Sequence, residues 1–323
     1  MKAGVIGTNW GRVHVQGLRK AGCDVIAMMA HDADIVARIA EEEGIPNHGT
    51  ELSVLRDCDV VAIATPTASH LGYLTALQDK IVLCEKPLGL TPDNQKQFLS
   101  LNADRSYVSF PFPFLDSAKQ IQQLVANGDF GDLMRITVVA GVNLPYPKTP
   151  TEWFMEDMIH PFSLLTHLFG EMQFLGARQG TGCNISAQLE CQHALVDLML
   201  CPWPHPGLHF DITLIGSKNA YQLRGGFRPD RQWWMEPLMI DDIPHGQGES
   251  AKDAIWIRAN HRVAKALIDH QNHDLTDQQA LELGLFPLQR ALAMEQSLLP
   301  LWKALAGYDQ SPTLAGNMVW QTT

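Results

Sequence analysis

The chain has 323 residues, of which 46% are hydrophobic and 18% are charged, a length that corresponds to about two domains of ordinary size. Its 24 Lys and Arg residues against 35 Asp and Glu residues give a net charge of −11. Because nucleic acids and anionic membranes repel an acidic chain, we expect neither as a partner, and a small molecule is the expected ligand.

Residues 1–112 alternate short apolar runs with stretches of helical periodicity. Most of the runs are apolar throughout, as in strands of a parallel sheet that is covered on both faces. The strands are predicted at Ala3–Ile6, Val25–Met29, Val60–Ala64, Ile81–Cys84 and Tyr107–Phe110. The helices are predicted at 10–21, 32–43, 67–78 and 91–103, the last with Thr91 as its N-cap and Pro92 at its first position. This alternation predicts an α/β domain with a doubly wound parallel sheet, of the type that binds nucleotides.

Residues 113–323 show a different pattern, with longer stretches of partial alternation. This pattern predicts an α+β domain with an open, mostly antiparallel sheet. The strands are predicted at Leu133–Leu144, Cys183–Glu190, Ala194–Cys201, His209–Ile215 and Ala220–Arg224. Two helices are predicted at 251–270 and 277–306, the second bent at Pro287, and the C-terminal helix is a candidate to pack on the first domain.

Processing and metal signals are missing from the sequence. We see no basic leader with a cleavage site and no run of about 18 apolar residues, so we expect a cytoplasmic protein without a signal peptide or a transmembrane helix. The six cysteines form no CxxC pair, which favours buried reduced thiols over a zinc site or disulfides. His205 and His209 have i, i+4 spacing, but Pro204 and Pro206 prevent a helix there, so we expect no metal site.

A glycine turn, Gly7-Thr8-Asn9-Trp10-Gly11, follows the first predicted strand and leads into a helix. Such a turn directs backbone N–H groups and the helix N-terminus at a pyrophosphate. Asn9 takes the place of the second glycine of the dinucleotide fingerprint, and Gly11 comes one residue before the usual third. An ordinary strand-to-helix turn is therefore an alternative, but the surrounding βαβ pattern favours a dinucleotide.

The second predicted strand lacks the terminal carboxylate that usually binds the adenosine ribose. It runs through Met29-Ala30-His31, and Asp32 comes two positions late. A missing carboxylate removes repulsion toward a 2′-phosphate, and the His31 ring can offer a hydrogen-bond donor. We therefore predict NADP(H) in preference to NAD(H), with a solvated loop histidine as the alternative interpretation of His31.

Two later motifs carry a family resemblance. The first is Ala64-Thr65-Pro66-Thr67-Ala68-Ser69-His70, and the second is Glu85-Lys86-Pro87 after a strand. Together they resemble the Gfo/Idh/MocA family (glucose–fructose oxidoreductase/inositol dehydrogenase), whose pattern is TPxxxH, a helix ending in AL, a strand and EKP. The likeness is dense over the first 130 residues and weaker over Phe114–Gly131 and Met158–Gly170. It implies an N-terminal Rossmann domain and a C-terminal sheet that lies over the nicotinamide.

The resemblance implies that Lys86 lies at the nicotinamide end of the site, where it positions the substrate oxygen or donates a proton. An ammonium group there stabilises negative charge on a carbonyl oxygen as hydride arrives. A surface lysine paired with a carboxylate is the alternative. The complete predicted cofactor-binding set is Gly7, Thr8, Asn9, Trp10, Gly11, His31, Ala64, Thr65, Pro66, His70, Glu85, Lys86 and Pro87.

His160 corresponds, by the same resemblance, to the histidine of the family's GxHxxD helix, and imidazole can exchange a proton near neutral pH. Met158 replaces the family's glycine and Ser163 replaces its aspartate. Three roles for His160 stay open: it carries the proton alone, it only binds substrate, or it is a packed helix residue.

The segments expected around the substrate are aromatic and offer few polar groups. Phe112 lies in a Phe-Pro repeat, and Tyr146, Trp153 and Phe154 precede the His160 helix. A sugar would need several convergent donors and acceptors. Phe112, Trp153 and Ser163 are the candidate substrate contacts, with ordinary core packing as the alternative for the aromatic residues.

Three functions are consistent with the sequence. The first is an NAD(P)-dependent oxidoreductase that moves hydride between nicotinamide and a carbonyl or secondary alcohol of a small, sugar-like metabolite. The second is an NADPH-dependent imine reductase, similar to the thiazolinyl imine reductases of siderophore biosynthesis. The third is a dinucleotide-binding sensor or scaffold without turnover, which the intact Glu85-Lys86-Pro87 motif disfavours. The resemblance also implies a homodimer or homotetramer formed through the C-terminal sheet.

Overall fold

The computed structural model describes residues 1–91, 93–102, 104–143, 154–179, 184–204, 207–227, 233–248, 255–273 and 275–309. The chain forms two compact units, the first comprising Met1–Phe114 with Ile257–Glu295 and the second Leu115–Trp256 with Gln296–Thr323. The domain boundary expected from the sequence lay after residue 112 and assigned residues 257–295 to the second domain. Within the described ranges, no helix is long and apolar enough to cross a bilayer.

The first unit contains a parallel sheet in the order β6-β5-β4-β1-β2-β3. Its strands are β1 Lys2–Ile6, β2 Asp24–Met29, β3 Asn47–Gly49, β4 Val60–Ile63, β5 Ile81–Glu85 and β6 Ser106–Ser109. Its first helices are α1 Gly11–Lys20, α2 Ala33–Glu43, α3 His70–Ala76 and α4 Gln95–Leu99. Strands β4, β5 and β6 are buried along their whole length, and the sequences of β4 and of Ile81–Cys84 in β5 are continuously apolar, as expected for a covered parallel sheet. The chain order reverses between β1 and β4, and ligands of doubly wound sheets bind beyond the carboxyl ends of the strands at such a point.

The helix predicted at 91–103 is much shorter than expected. The Thr91 amide donates to Asn94 Oδ1 over 2.7 Å and the Asn94 amide donates to Thr91 Oγ1 over 3.3 Å, which is the reciprocal pattern of a capping box. Gln95 N also donates to Thr91 O over 3.0 Å. The α-helix itself is confined to Gln95–Leu99, with Asn94 as its N-cap residue. Pro92 lies outside the described residues.

The second unit contains a nine-stranded sheet in the order β15-β14-β12-β11-β7-β10-β9-β8, with β13 paired to β12. Among these described strands only the β7–β10 pair is parallel. The sheet is therefore mostly antiparallel, which confirms the fold class predicted for the second domain. The elements are α5 Asp116–Ala126, β7 Leu133–Asn143, α6 Ile159–Phe169, β8 Gln173–Gln179, β9 Ile185–Cys191, β10 Ala194–Pro202, β11 Gly207–Gly216, β12 Ala220–Phe227, β13 Trp233–Met235, β14 Leu238–Ile240 and β15 Ile243–His245. Burial alternates along β10 and β11, so one face of the sheet forms the core of this unit.

The last elements are α7 Ile255–His273, α8 Asp277–Glu282, β16 Phe286–Pro287 and α9 Leu288–Asp309. In the first unit, α7 packs on α1 at Gly17, where an added Cβ would lie 3.3 Å from the His261 ring. The bent helix predicted around Pro287 is wrong. Gly284, at φ +95°, follows α8, and Pro287 lies in the short edge strand β16 opposite Tyr107 of β6. Proline fits such an edge because it has no N–H to donate to a further strand.

The cysteines of the described ranges are all free thiols. Cys23, Cys58, Cys84 and Cys191 are buried, and Cys201 is half-buried. Burial raises the pKa of Cys58 and of Cys191 to about 11, so both stay protonated at neutral pH. Cys183 and His205 lie outside the described residues.

Candidate functional site

The turn between β1 and α1 is built around Gly7. Its φ is +110°, and an added Cβ would lie 2.2 Å from the carbonyl oxygen of Ala64, the residue that follows β4. The Gly7 amide donates to Met29 O at the end of β2 over 2.8 Å. Only glycine fits this position, and the turn therefore lies against the ends of two neighbouring strands at the point where the sheet order reverses.

The start of α1 suits an anionic ligand. The first backbone bonds of this region run from Arg12 N to Asn9 O and from Val13 N to Trp10 O. The amides that precede them belong to the turn itself, and the first turn of α1 contains no acidic residue. Helix N-termini of this kind attract phosphate groups, because several amides and the helix dipole act together. A Cβ added at Gly11 would lie 3.0 Å from Val5 Cγ1. Gly11 is therefore the residue of the turn that allows α1 to pack closely against β1.

The end of β2 carries no carboxylate. Met29 and Ala30 are followed by His31, which is exposed. The Asp32 carboxylate accepts a hydrogen bond from Ile35 N over 2.9 Å and caps α2. Asp32 therefore has a local structural role.

A buried polar cluster joins the glycine turn to β5. Glu85 Oε1 accepts hydrogen bonds from Trp10 Nε1 over 3.1 Å and from His14 Nε2 over 2.8 Å. Burial alone raises the pKa of Glu85, but the hydrogen bond and charge of His14, together with Lys86, outweigh burial and the net pKa is lowered. Glu85 is therefore a carboxylate at neutral pH, and His14 must donate through Nε2.

Sequence reasoning missed His14. The residue is 1% exposed on the inner side of α1, three positions after Gly11. A histidine at an inward position of an amphipathic helix is the signal that could have found it. Its partner lies 71 residues away along the chain, a distance that periodicity does not reveal.

The segment after β5 is fixed by a second histidine. The peptide bond between Lys86 and Pro87 is cis. Pro87 O accepts from His70 Nδ1 over 2.8 Å, and Thr65 O lies 2.9 Å from His70 Nε2. Burial lowers the pKa of His70, while its two carbonyl contacts act in the opposite direction. His70 thus joins the loops that follow β4 and β5. Sequence reasoning placed it among the cofactor-binding residues, but its side chain is fully buried and supports these two loops from within the fold.

The remaining predicted residues of the first unit lie at the same edge of the sheet. Ala64, Thr65 and Pro66 follow β4, and the Thr65 hydroxyl accepts from Ser69 Oγ over 2.7 Å. Phe112 lies in the short turn after β6 and is 1% exposed. The carboxyl ends of β1, β4, β5 and β6 therefore carry the residues that sequence reasoning assigned to the cofactor, apart from His31 after β2, together with one of the three predicted substrate contacts, Phe112.

His160 lies in the second unit, at the start of α6. A π-helical turn, Phe154–Met158, leads into this helix, a local irregularity that is frequent at functional sites. The His160 ring is 4% exposed and meets Trp256 edge-on at 4.8 Å, and Trp256 stacks on Trp233 at 4.5 Å with an interplanar angle of 3°. The imidazole is thus enclosed by aromatic rings.

Ser163 is fully buried, and its hydroxyl donates to the His160 carbonyl over 2.7 Å. The Ser163 hydroxyl therefore bonds within its own helix. Trp153 and Tyr146 lie outside the described residues. Across the described ranges, no three His, Cys, Asp or Glu side chains converge in a way that could hold a metal ion.

Comparison with known proteins shows which proteins this chain resembles. Residues 1–110 match the model of an oxidoreductase family with an NAD-binding Rossmann fold, GFO_IDH_MocA. Trans-1,2-dihydrobenzene-1,2-diol dehydrogenase of Bos taurus is 23% identical over 212 residues, 60% of this chain and 63% of that protein. Inositol 2-dehydrogenase of Rhizobium meliloti (strain 1021) is 26% identical over 124 residues, 36% of this chain and 38% of that protein. The aligned part thus spans less than two thirds of either relative.

The fold has counterparts among solved structures. The dehydrogenase MviM of Clostridium difficile superposes with a TM-score of 0.71, covering 95% of this chain and 99% of that one at 12% identity. At this identity the likeness concerns the fold alone.

Proposed function

We propose that this chain is an NAD(P)-dependent oxidoreductase similar to the Gfo/Idh/MocA family, whose model matches residues 1–110. Its reaction moves hydride between the nicotinamide and a carbonyl or secondary alcohol of a small, sugar-like metabolite. One observation carries the proposal. The glycine turn and the strand β5, which ends at Glu85 directly before Lys86, are joined through the Trp10–Glu85 hydrogen bond of 3.1 Å, so the glycine turn and Lys86 lie at one edge of one sheet.

The residues of this edge fit a dinucleotide. Gly7 lets the turn pack against the Ala64 carbonyl, where no side chain fits, and the start of α1 offers amides without a competing acid. The pyrophosphate would bind there, and Thr65 and Pro66 would line the path toward the end of β5. The bound nicotinamide would supply or accept the hydride.

Lys86 would orient the substrate oxygen and stabilise its negative charge. When a carbonyl is reduced, charge develops on oxygen, and a fixed ammonium group in a partly buried setting stabilises that charge more strongly than water does. In the oxidation direction the same group holds the alcohol oxygen in line for hydride loss. His160 is the proposed proton carrier, since imidazole accepts or donates a proton near neutral pH.

For the cofactor, we propose NADP(H) in preference to NAD(H). The support is the exposed His31 at the end of β2 and the engagement of Asp32 as the cap of α2. A free carboxylate facing the ribose would repel a 2′-phosphate, and none follows β2 directly.

For the substrate, we propose a ring that bears neighbouring hydroxyl or keto groups. A relative named for a dihydrobenzene-diol and another named for inositol both support this class. The indole pair of Trp256 and Trp233 beside His160 favours a ring with an apolar face over a fully hydroxylated sugar.

The test begins with fluorescence titration of NADPH and NADH, followed by turnover on matched panels of cyclic diols, hydroxyketones, polyols and cyclic imines. We expect saturable NADPH binding and turnover of a diol or hydroxyketone that Lys86→Ala lowers by about 100-fold or more. The exposed Lys96 of the same unit provides a control, because Lys96→Ala should leave turnover unchanged. Turnover that survives Lys86→Ala would overturn the assigned role, and turnover of imines alone would favour an imine reductase.

We also propose that the protein is a homodimer or homotetramer formed through the second sheet. The face of β10 opposite the core exposes Leu195 by 36% and Met199 by 44%. An exposed apolar sheet face is usually covered. Met199→Asp should lower the mass measured by light scattering, whereas Ile35→Asp, at an exposed apolar residue of the first unit, should not. A monomeric wild-type protein would contradict this proposal.

A further inference from the structure

A carboxylate from the C-terminal part of the chain holds the loop that follows Lys86. Glu295 of α9 is fully buried. Its Oε1 accepts from the Leu88 amide over 2.6 Å and its Oε2 accepts from the Leu90 amide over 3.1 Å. The amide of Gly89 donates to the same carboxylate. Three consecutive amides thus converge on one side chain, 207 residues from Leu88 along the sequence.

The loop is shaped for this contact. Gly89 has φ +77°, and an added Cβ would lie 2.5 Å from Thr67 Cγ2. A left-handed residue turns successive amides to one side, which forms a concave anion-binding nest. Nests of this kind usually hold a phosphate or another free anion. Here the protein fills the nest with its own carboxylate.

The hydrogen-bond donors that contact the Glu295 carboxylate in this loop are all backbone amides. Within the described ranges, no Lys, Arg or His side chain forms an ion pair with Glu295. Burial raises the pKa of the Cys84 thiol in β5, and the charge of Glu295 raises the same pKa further, so Cys84 stays uncharged. Burial also raises the pKa of Glu295 to about 7, while its three amide donors act in the opposite direction.

The segment that carries Lys86 is therefore held at three points. His14 and Trp10 fix the side chain of Glu85 before it. His70 fixes the Pro87 carbonyl directly after it, and Glu295 fixes the next three amides. The first two points lie within the family's motifs, and the third does not.

We propose that Glu295 is a positioning residue for Lys86, whose ionised carboxylate gathers the amides of Leu88–Leu90 and thereby fixes the direction of the lysine. This inference rests on the proposed function for its effect on turnover, but the contact itself is testable without turnover. A carboxylate accepts all three amides. A protonated carboxyl group loses acceptor capacity and brings an O–H donor toward N–H groups, so protonation weakens the hold on the loop.

The experiment compares wild type with Glu295→Gln, using Leu292→Ala as the control. Leu292 is a buried residue of the same helix and of the same unit, so its truncation loosens the packing of α9 without removing the carboxylate. Hydrogen–deuterium exchange is measured at the amides of Leu88–Leu90. We expect exchange there to be about tenfold or more faster in Glu295→Gln than in Leu292→Ala, since the hydrogen bonds to a charged group are lost.

Turnover supplies the second measurement. We expect Glu295→Gln to lower kcat by about tenfold or more, with the NADPH dissociation constant within about twofold of wild type. Wild-type kcat should fall as the pH falls through about 7, and this fall should be smaller in Glu295→Gln, where the proposed proton carrier His160 alone contributes a pH dependence in this range.

Unchanged exchange at Leu88–Leu90 in Glu295→Gln overturns the proposal. So does altered exchange accompanied by a wild-type kcat and pH profile. If the variant does not fold, wild-type exchange corrected for its intrinsic pH dependence decides, because the proposal requires weaker protection at about pH 6 than at about pH 8. A wild-type protein without turnover defeats the proposed function, whereas the exchange result still decides whether Glu295 holds the loop.

Discussion

The Trp10 indole N–H and the Glu85 carboxylate lie 3.1 Å apart, which joins the start of α1 to the end of β5, directly before Lys86. The same oxygen of Glu85 also receives His14 over 2.8 Å. The glycine turn, the helix α1 and the end of β5 are thereby joined through the one buried side chain of Glu85.

The first prediction concerns Gly7. Gly7→Ala should lower the free energy of unfolding by about 2 kcal/mol or more and abolish NADPH binding, because the position has a left-handed backbone and no room for a Cβ. Chemical denaturation and fluorescence titration measure the two effects. Gly72→Ala is the matched control, since nothing lies within 4 Å of its Cβ position in α3, and it should be neutral or stabilising. Equal behaviour of the two variants would contradict the strained turn.

The second prediction concerns the buried pair of His14 and Glu85. His14→Leu should lower the free energy of unfolding by about 2–4 kcal/mol at neutral pH, because a buried carboxylate loses its principal partner. The exposed His48 offers a control, and His48→Leu should change stability by less than about 0.5 kcal/mol.

The same pair predicts a pH dependence. The folded pKa of Glu85 is lowered by His14 and Lys86 against burial, so this group stabilises the fold above its unfolded pKa of about 4.3 and loses that effect as the pH falls through the folded value. Acid denaturation of wild type should therefore show a loss of stability below about pH 4.3 that His14→Leu lacks. Parallel acid curves for the two proteins would contradict the pairing.

The third prediction concerns the stability contributed by Glu295. Its folded pKa of about 7 lies above the unfolded value, so its contribution is fully present below about pH 4.3 and is lost as the pH rises through 7. Relative to wild type, Glu295→Gln should therefore gain about 3 kcal/mol between about pH 4 and about pH 8. Urea denaturation at both values measures the difference. A constant difference would show that Glu295 does not titrate on unfolding.

The fourth prediction concerns the choice of cofactor. His31→Asp places a carboxylate directly after β2 and should weaken NADPH binding by about tenfold or more, through repulsion of the 2′-phosphate. NADH binding should be unchanged or improved. His31→Asn, which adds no charge, is the control, and titration of both cofactors with each variant is the measurement. Loss of both cofactors in equal measure would place His31 away from the ribose.

Local sequence patterns predicted most of the first unit correctly. The continuous apolar runs became β1, β4 and β5, because strands of a parallel sheet with two covered faces need mostly apolar side chains. Local turn chemistry was harder to predict. The helix α4 covers only Gln95–Leu99 of the predicted range 91–103, and Gly284 with Pro287 replaced a helical bend with a strand.

What the sequence determined by itself is the order of strands and helices, the glycine turn and the motif that carries Lys86, since each depends on residues that are close along the chain. Only the tertiary structure decided that His14 meets Glu85 and that Glu295 reaches the amides of Leu88 and Leu90. These contacts join residues 71 to 207 positions apart. Burial makes their partners obligatory, because a carboxylate removed from water must find donors elsewhere in the fold.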